Sequence, residues 1–293
     1  MASARRESSE KEPWVGLRFL AGLAFFPPLV VFTKTPFFAG RRMYDLFVLF
    51  FFLLLIIAHA LSHNCFSATR HEVLYRERLH GPPNDYHHGG KFAGEWFQNN
   101  AEPSIRCLTD ERVGPWGDGG KWICQPSCLL SKNNCTVLSV GSCNEYGFEN
   151  SIIERYGCNV STFDHTVVNA TPPSQVAFYP FGISAKSIDK LRTINDLVEI
   201  SGINNKSLID LFKIDCEGCE YEIFSDVKTL EFMSRKVRQL SVEIHWINNA
   251  NAISVIYGNL IKYGFRSFSK EPNLLCQSCA TEFSFLNLNL LLF

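Results

Sequence analysis

Leu211-Phe-Lys-Ile-Asp-Cys-Glu-Gly-Cys-Glu-Tyr221 (LFKIDCEGCEY) decides the fold. The apolar run from Leu208 to Ile214 has the character of a strand buried on both faces of a parallel sheet. It breaks abruptly into Asp215, Glu217 and Glu220 around Gly218. Open α/β sheets bind ligands outside the carboxyl ends of their strands, so acids placed there suit chemistry better than stability.

The neighbouring segments supply the sheet. Val137–Val140 is a short buried strand running into Gly141-Ser-Cys-Asn-Glu-Tyr-Gly147. A helix is expected over Phe148–Tyr156, closed by Gly157. Val160–Phe163 ends at Asp164, and Val176–Tyr179 is a third strand. Thr193–Ser201 reads as a helix stopped by Gly202, and Asn251–Tyr263 as an amphipathic helix capped by Gly264. Gln239–Ile244 is a fifth strand ending at His245-Trp246. Phe265–Ser269 and Glu282–Leu288 complete the sheet as an antiparallel pair. Alternation of strands and helices predicts an α/β, doubly wound, mainly parallel, Rossmann-like sheet.

The first 104 residues read differently. Leu46–Leu61 is a sixteen-residue apolar run preceded by Arg41-Arg42. With Met43, Tyr44 and Asp45 it approaches the roughly 20 residues that span a bilayer. The positive-inside rule then orients a type II, single-pass anchor with the N-terminus cytosolic. The run begins too late for a cleaved signal peptide. A second apolar stretch, Phe19–Phe32, is broken by Pro27-Pro28 and reads as interfacial or re-entrant. The expected organisation is a tail over 1–42, an anchor over 43–62, a Gly- and Pro-containing stem over 63–104 and a catalytic domain over 105–293.

Eleven cysteines, ten of them beyond residue 100, fit an oxidising lumen. So do sequons at Asn134, Asn159, Asn169 and Asn205. This predicts a membrane-bound glycoprotein of the secretory pathway, with the Golgi as its expected station. A net charge of −1 gives no nucleic-acid surface.

Gly141 allows a tight turn near a ligand, and the helix after it offers its N-terminus. Asp164 lies 23 residues past Gly141, close to the spacing of an acid that bonds a ribose hydroxyl. His245 is a candidate general base, with Asp215 or Glu217 as the alternative or as its orienting partner. Asp215 and Glu217 also suit an N-cap and first-turn acid of a following helix. Cys216-x-x-Cys219 and Cys276-x-x-Cys279 admit zinc, redox and disulfide readings. Disulfides, each worth about 2–4 kcal/mol, suit the compartment best, so no metal is expected.

In order, VLSVGSCNEYGFE, STFDH, FYPFG, LFKIDCEGCEYEIF and SVEIHW resemble the FkbM-type S-adenosylmethionine-dependent methyltransferases. Trp116–Cys124, WGDGGKWIC, is similar to the membrane-anchored branch of that family. The resemblance covers about residues 105–290. It implies a seven-stranded methyltransferase sheet, S-adenosyl-L-methionine as cofactor, and methylation of an acceptor hydroxyl, for which a glycan is the expected secretory-pathway class. It places Val140, Gly141 and Ser142 at the methionine part of the cofactor and Asp164 at the ribose. Asp215 and Glu217 fall beside the sulfonium and acceptor. The chain departs from the pattern near Ser139, where an acid is common. Two other classes fit the layout: a lumenal glycosyltransferase holding a metal and sugar nucleotide at Asp215 and Glu217, and a catalytically inactive binding domain.

Overall fold

The computed structural model describes residues 48–56, 101–130, 135–204, 207–245, 250–273, 275 and 279–290. The chain divides into two compact units, Met1–Leu54 and Leu55–Phe293. Of the expected anchor over 43–62, residues 48–56 are helical with exposed apolar side chains, and the rest lies outside the described residues. Among the described residues no helix is long and apolar enough to cross a membrane. The tail, most of the stem, and the sequons at Asn134 and Asn205 also lie outside them.

The second unit is built on strands β1 (Asp110–Val113), β2 (Lys121–Cys124), β3 (Thr136–Val140), β4 (Asn159–Phe163), β5 (Val176–Tyr179), β6 (Gly182–Ile183), β7 (Leu191–Arg192), β8 (Ile209–Ile214), β9 (Val237–His245), β10 (Phe265–Pro272) and β11 (Ala280–Asn287). Its helices are α1 (Pro126–Leu129), α2 (Gly147–Tyr156), α3 (Ile194–Ile200), α4 (Glu220–Ile223), α5 (Val227–Lys236) and α6 (Ala250–Lys262). Seven strands form one sheet in the order β10-β11-β9-β8-β3-β4-β5. The five central and outer strands β9, β8, β3, β4 and β5 are parallel. β11 runs antiparallel between β9 and β10. The expected antiparallel pair therefore exists, and its second member is the one that joins the sheet.

The elements follow from their residues. β8 is buried at every position, as a central parallel strand requires. α2 ends where Gly157 takes a left-handed conformation, φ 67°, that a side chain would disfavour. α3 starts at a capping box in which the Thr193 and Asp196 side chains bond each other's backbone N–H. Val140, Phe212, Ile214, Leu240, Val242 and α5 and α6 residues pack one face of the sheet. Val113, Ile123, Val137, Phe148, Ile152 and Leu211 pack the other.

Two elements escape the periodicity. The helix α5 carries its apolar positions on one narrow face between charged residues. The β1–β2 hairpin spans WGDGGK and is tied to the sheet by reciprocal hydrogen bonds between Gln239 and the Cys124 backbone. Disulfides join Cys107 to Cys124, Cys135 to Cys158 and Cys216 to Cys219.

Candidate active site

Strand register lines the site residues up in one row. Glu271 on β10 pairs with Glu282 on β11, and Glu282 pairs with Glu243 on β9. Val242 pairs with Ile214, Ile214 with Val140, and Val140 with Phe163. One residue further along these strands stand Glu243, Asp215, Gly141 and Asp164, side by side at the carboxyl ends. Backbone bonds from Asp215 N to Val140 O and from Gly141 N to Phe163 O, both 2.9 Å, hold the row together.

Gly141 is required by its neighbour. A Cβ there would lie 1.5 Å from the Asp215 carbonyl oxygen, and φ is +81°. The turn continues through Cys143 and Asn144, both left-handed and exposed. Asp164 closes it: Oδ2 accepts from Ser142 N at 2.9 Å and Cys143 N at 2.8 Å. Oδ1 accepts from Thr166 N at 2.9 Å and Thr166 Oγ1 at 2.6 Å. Burial would raise this carboxyl, but the bonds from Thr166, Cys143 and Ser142 outweigh it and hold the pKa below the usual value. The acid missing at Ser139 arrives from α2, whose buried Glu149 accepts the Ser139 hydroxyl.

The Asp215 side is organised by charge. Lys121, buried on β2, donates to Asp215 Oδ2 at 3.3 Å and to Glu282 Oε1. Lys213 lies 3.7 Å from Asp215 Oδ2 and donates to the Gly141 carbonyl. Burial would raise the Asp215 carboxyl, but Lys121, Lys213 and His245 overcome it and hold the pKa at about 2. Burial raises Glu282 to about 8, with Lys121 opposing and Glu243 and Asp215 adding to the rise. Glu243 is raised by burial and by Asp215. Its Oε1 accepts from Asn273 Nδ2 at 2.8 Å.

His245 sits at the end of β9 with its ring oriented by Glu220. Glu220 Oε1 accepts from His245 N at 2.8 Å and lies 3.1 Å from Nδ1. Nε2 faces Glu217 Oε2 at 3.4 Å and Asp215 Oδ1 at 3.9 Å. Burial alone would lower the imidazole pKa, but Glu220, then Glu217 and Glu243, lift it to about 9. His245 is thus an imidazolium at neutral pH.

Each of the expected residues has a place in this row or beside it. Val140, Gly141, Ser142 and Asp164 form one cluster, and Asp215, Glu217 and His245 the other. Asp215 is not an N-cap: that position of α4 falls on Cys219, which makes no side-chain cap bond. Glu217 is exposed, in a left-handed conformation (φ 55°) inside the turn closed by the Cys216–Cys219 disulfide. The second expected pair is half visible, since Cys276 lies outside the described residues and Cys279 is disulfide-bonded. Lys121, Lys213, Glu220, Glu243 and Glu282 complete the site and are absent from the sequence-derived set. For Lys213, Glu243 and Glu282 the signal is a charge inside an otherwise buried strand, as in LFKID, SVEIH and ATEFSF.

Comparison with known proteins adds the chemistry's class. A family described as "Methyltransferase domain" matches residues 65–287. No curated protein sequence matches. Among solved structures, the Methanococcus jannaschii fibrillarin pre-rRNA processing protein is 10% identical, with a TM-score of 0.34, 53% of this chain covered and 67% of that chain. The 16S rRNA (adenine(1408)-N(1))-methyltransferase of Catenulisporales acidiphilia is 8% identical, TM-score 0.34, covering 60% and 98%. The N-terminal domain of EvdMO1 with SAH bound is 9% identical, TM-score 0.32, covering 52% and 74%.

Proposed function

The chain belongs to the methyltransferase-domain family and is an S-adenosylmethionine-dependent methyltransferase; from that premise we propose that it is an FkbM-type, membrane-anchored enzyme that methylates a hydroxyl of a secretory-pathway acceptor such as a glycan. The observation that carries the catalytic reading is the row of strand ends Asp164, Gly141, Asp215 and Glu243.

The residues present fit the cofactor. It is cationic at its sulfonium and ammonium groups and carries ribose hydroxyls. The row offers carboxylates on either side of a residue without a side chain. Val140, Gly141 and Ser142 would line its methionine portion, and Asp164 its ribose. All four lone-pair positions of Asp164 are engaged by the turn and Thr166, so a ribose bond replaces the Thr166 hydroxyl. When bound, the cofactor supplies an electrophilic methyl group.

The chain's own part is alignment and proton removal. Asp215, pinned by two ammoniums, fixes the strand end where an acceptor must lie in line with the methyl. His245 Nε2 takes the hydroxyl proton, and Glu220 holds the ring in register. With a pKa of about 9, the imidazole is free only at raised pH, so the rate climbs up to about pH 9. His245→Gln lowers turnover by about 10²–10⁴ with cofactor binding retained. Unchanged turnover in that variant overturns the assignment.

Disulfides among the described residues support an oxidising compartment. The exposed apolar helix over 48–56 supports membrane contact. The exposed positions of Asn159 and Asn169 suit glycosylation. An endoglycosidase-sensitive mobility shift of the full chain, lost in Asn169→Gln/Asn159→Gln, tests the lumenal placement, and its absence contradicts it.

A further inference from the structure

We propose that the acidic end of the row is a divalent-cation site. One carboxylate oxygen from each of Asp118, Asp215, Glu243 and Glu282 lies within 4.8 Å of all the others. Glu243 and Glu282 are direct cross-strand partners, an arrangement of like charges that is unfavourable unless a cation joins them. Lys121 meets only part of the need. It engages Glu282 Oε1 and Asp215 Oδ2, while Glu282 Oε2 is shielded from solvent and has no hydrogen-bond partner among the described residues. The Glu282 residue is 5% exposed. A carboxylate oxygen buried without a donor is costly, and a metal ion is one of the partners that relieves the cost.

Ligand type names the ion. Four carboxyl groups converge there beside the ammoniums of Lys121 and Lys213. The donors are all carboxylate oxygens, which select a hard cation such as Mg²⁺, Mn²⁺ or Ca²⁺ over zinc or copper. Asp118 provides the entry. It is exposed, on a loop in which Gly117 and Gly119 take φ of +90° and +78°. The loop thus reaches over the buried acids from the solvent side.

Mn²⁺ titrated into the metal-stripped full chain, without cofactor or acceptor, tests binding alone through loss of the free Mn²⁺ electron paramagnetic resonance signal. The expected result is one equivalent bound. Asp118→Asn and Glu282→Gln each weaken it by at least about tenfold, the lower end of what outer-shell changes cost. Glu217→Gln leaves it within about twofold. If Glu282→Gln does not fold, the exposed Asp118→Asn decides. No saturable binding, or Asp118→Asn binding like the parent, overturns the proposal. So does loss of binding in Glu217→Gln, which would move the ion to the His245 side. Because cofactor binding is measured separately, failure here leaves the methyltransferase reading intact.

Discussion

The two halves of the strand-end row solve opposite problems. On the Gly141–Asp164 side, Asp164 spends both oxygens on the turn and on Thr166. On the Asp215–Glu243–Glu282 side, Asp215 and Glu282 share Lys121, Glu243 leans on Asn273, and one oxygen of Glu282 has no partner among the described residues. The first half is built for a fixed shape. The second crowds acids at a strand edge where their own neighbours satisfy them only in part. A methyltransferase needs both, a preformed cradle for the cofactor and a reactive edge for the acceptor.

The sharpest way to break the first half is Gly141→Ala. Its Cβ would strike the Asp215 carbonyl at 1.5 Å, between two central strands. Destabilisation well above the roughly 1 kcal/mol of an ordinary substitution is expected in chemical denaturation, extending to loss of the folded state. A variant of parental stability would show that the row is not closed here. The second half breaks through Lys121→Met. Removing one partner of a buried pair costs about 3–5 kcal/mol, and Lys121→Met/Glu282→Leu recovers part of it.

A smaller effect separates the halves by pH. The folded pKa of His245, about 9, lies above the roughly 6.5 of an unfolded histidine. Its stabilisation is therefore full below pH 6.5 and is lost as pH rises through 9. Glu282, raised to about 8, acts in the same direction, because the folded state keeps its proton through a range in which the unfolded state releases it. Asp215, depressed to about 2, contributes above its usual value near 3.8 and loses that contribution as pH falls towards 2. The thermal midpoint should decline from pH 6.5 to 9, less steeply in His245→Gln. A midpoint that rises over that window contradicts the charge assignments. The smallest effect belongs to Thr166→Val, which removes the hydroxyl competing for Asp164. Cofactor affinity should rise by less than about tenfold, about 1.4 kcal/mol.

The same division explains what could be read beforehand. The sheet was legible because β3, β4 and β8 are short apolar runs ending at Gly141, Asp164 and Asp215, and parallel strands announce themselves in that way. Gly141, Asp164, Asp215 and His245 were legible because each directly follows or ends such a run. Lys121, Glu243 and Glu282 were not. Their proximity depends on β11 inserting between β9 and β10, and on a glycine-rich hairpin folding back across the sheet. Neither is encoded by a local period: β11 returns to β9 across a helix and a strand, and the hairpin meets the sheet across separations of 115 and 161 residues. Glu220 was hidden differently: it lies in a four-residue helix, and its role emerges only when His245 is brought to it.

Calorimetric titration of S-adenosylmethionine into the purified full chain tests the central claim most directly. Saturable one-to-one binding is expected, abolished by Asp164→Ala and retained in Glu217→Gln. No heat from a chain shown to be folded, or unchanged affinity in Asp164→Ala, would contradict the assignment of the Gly141–Asp164 half as the cofactor cradle.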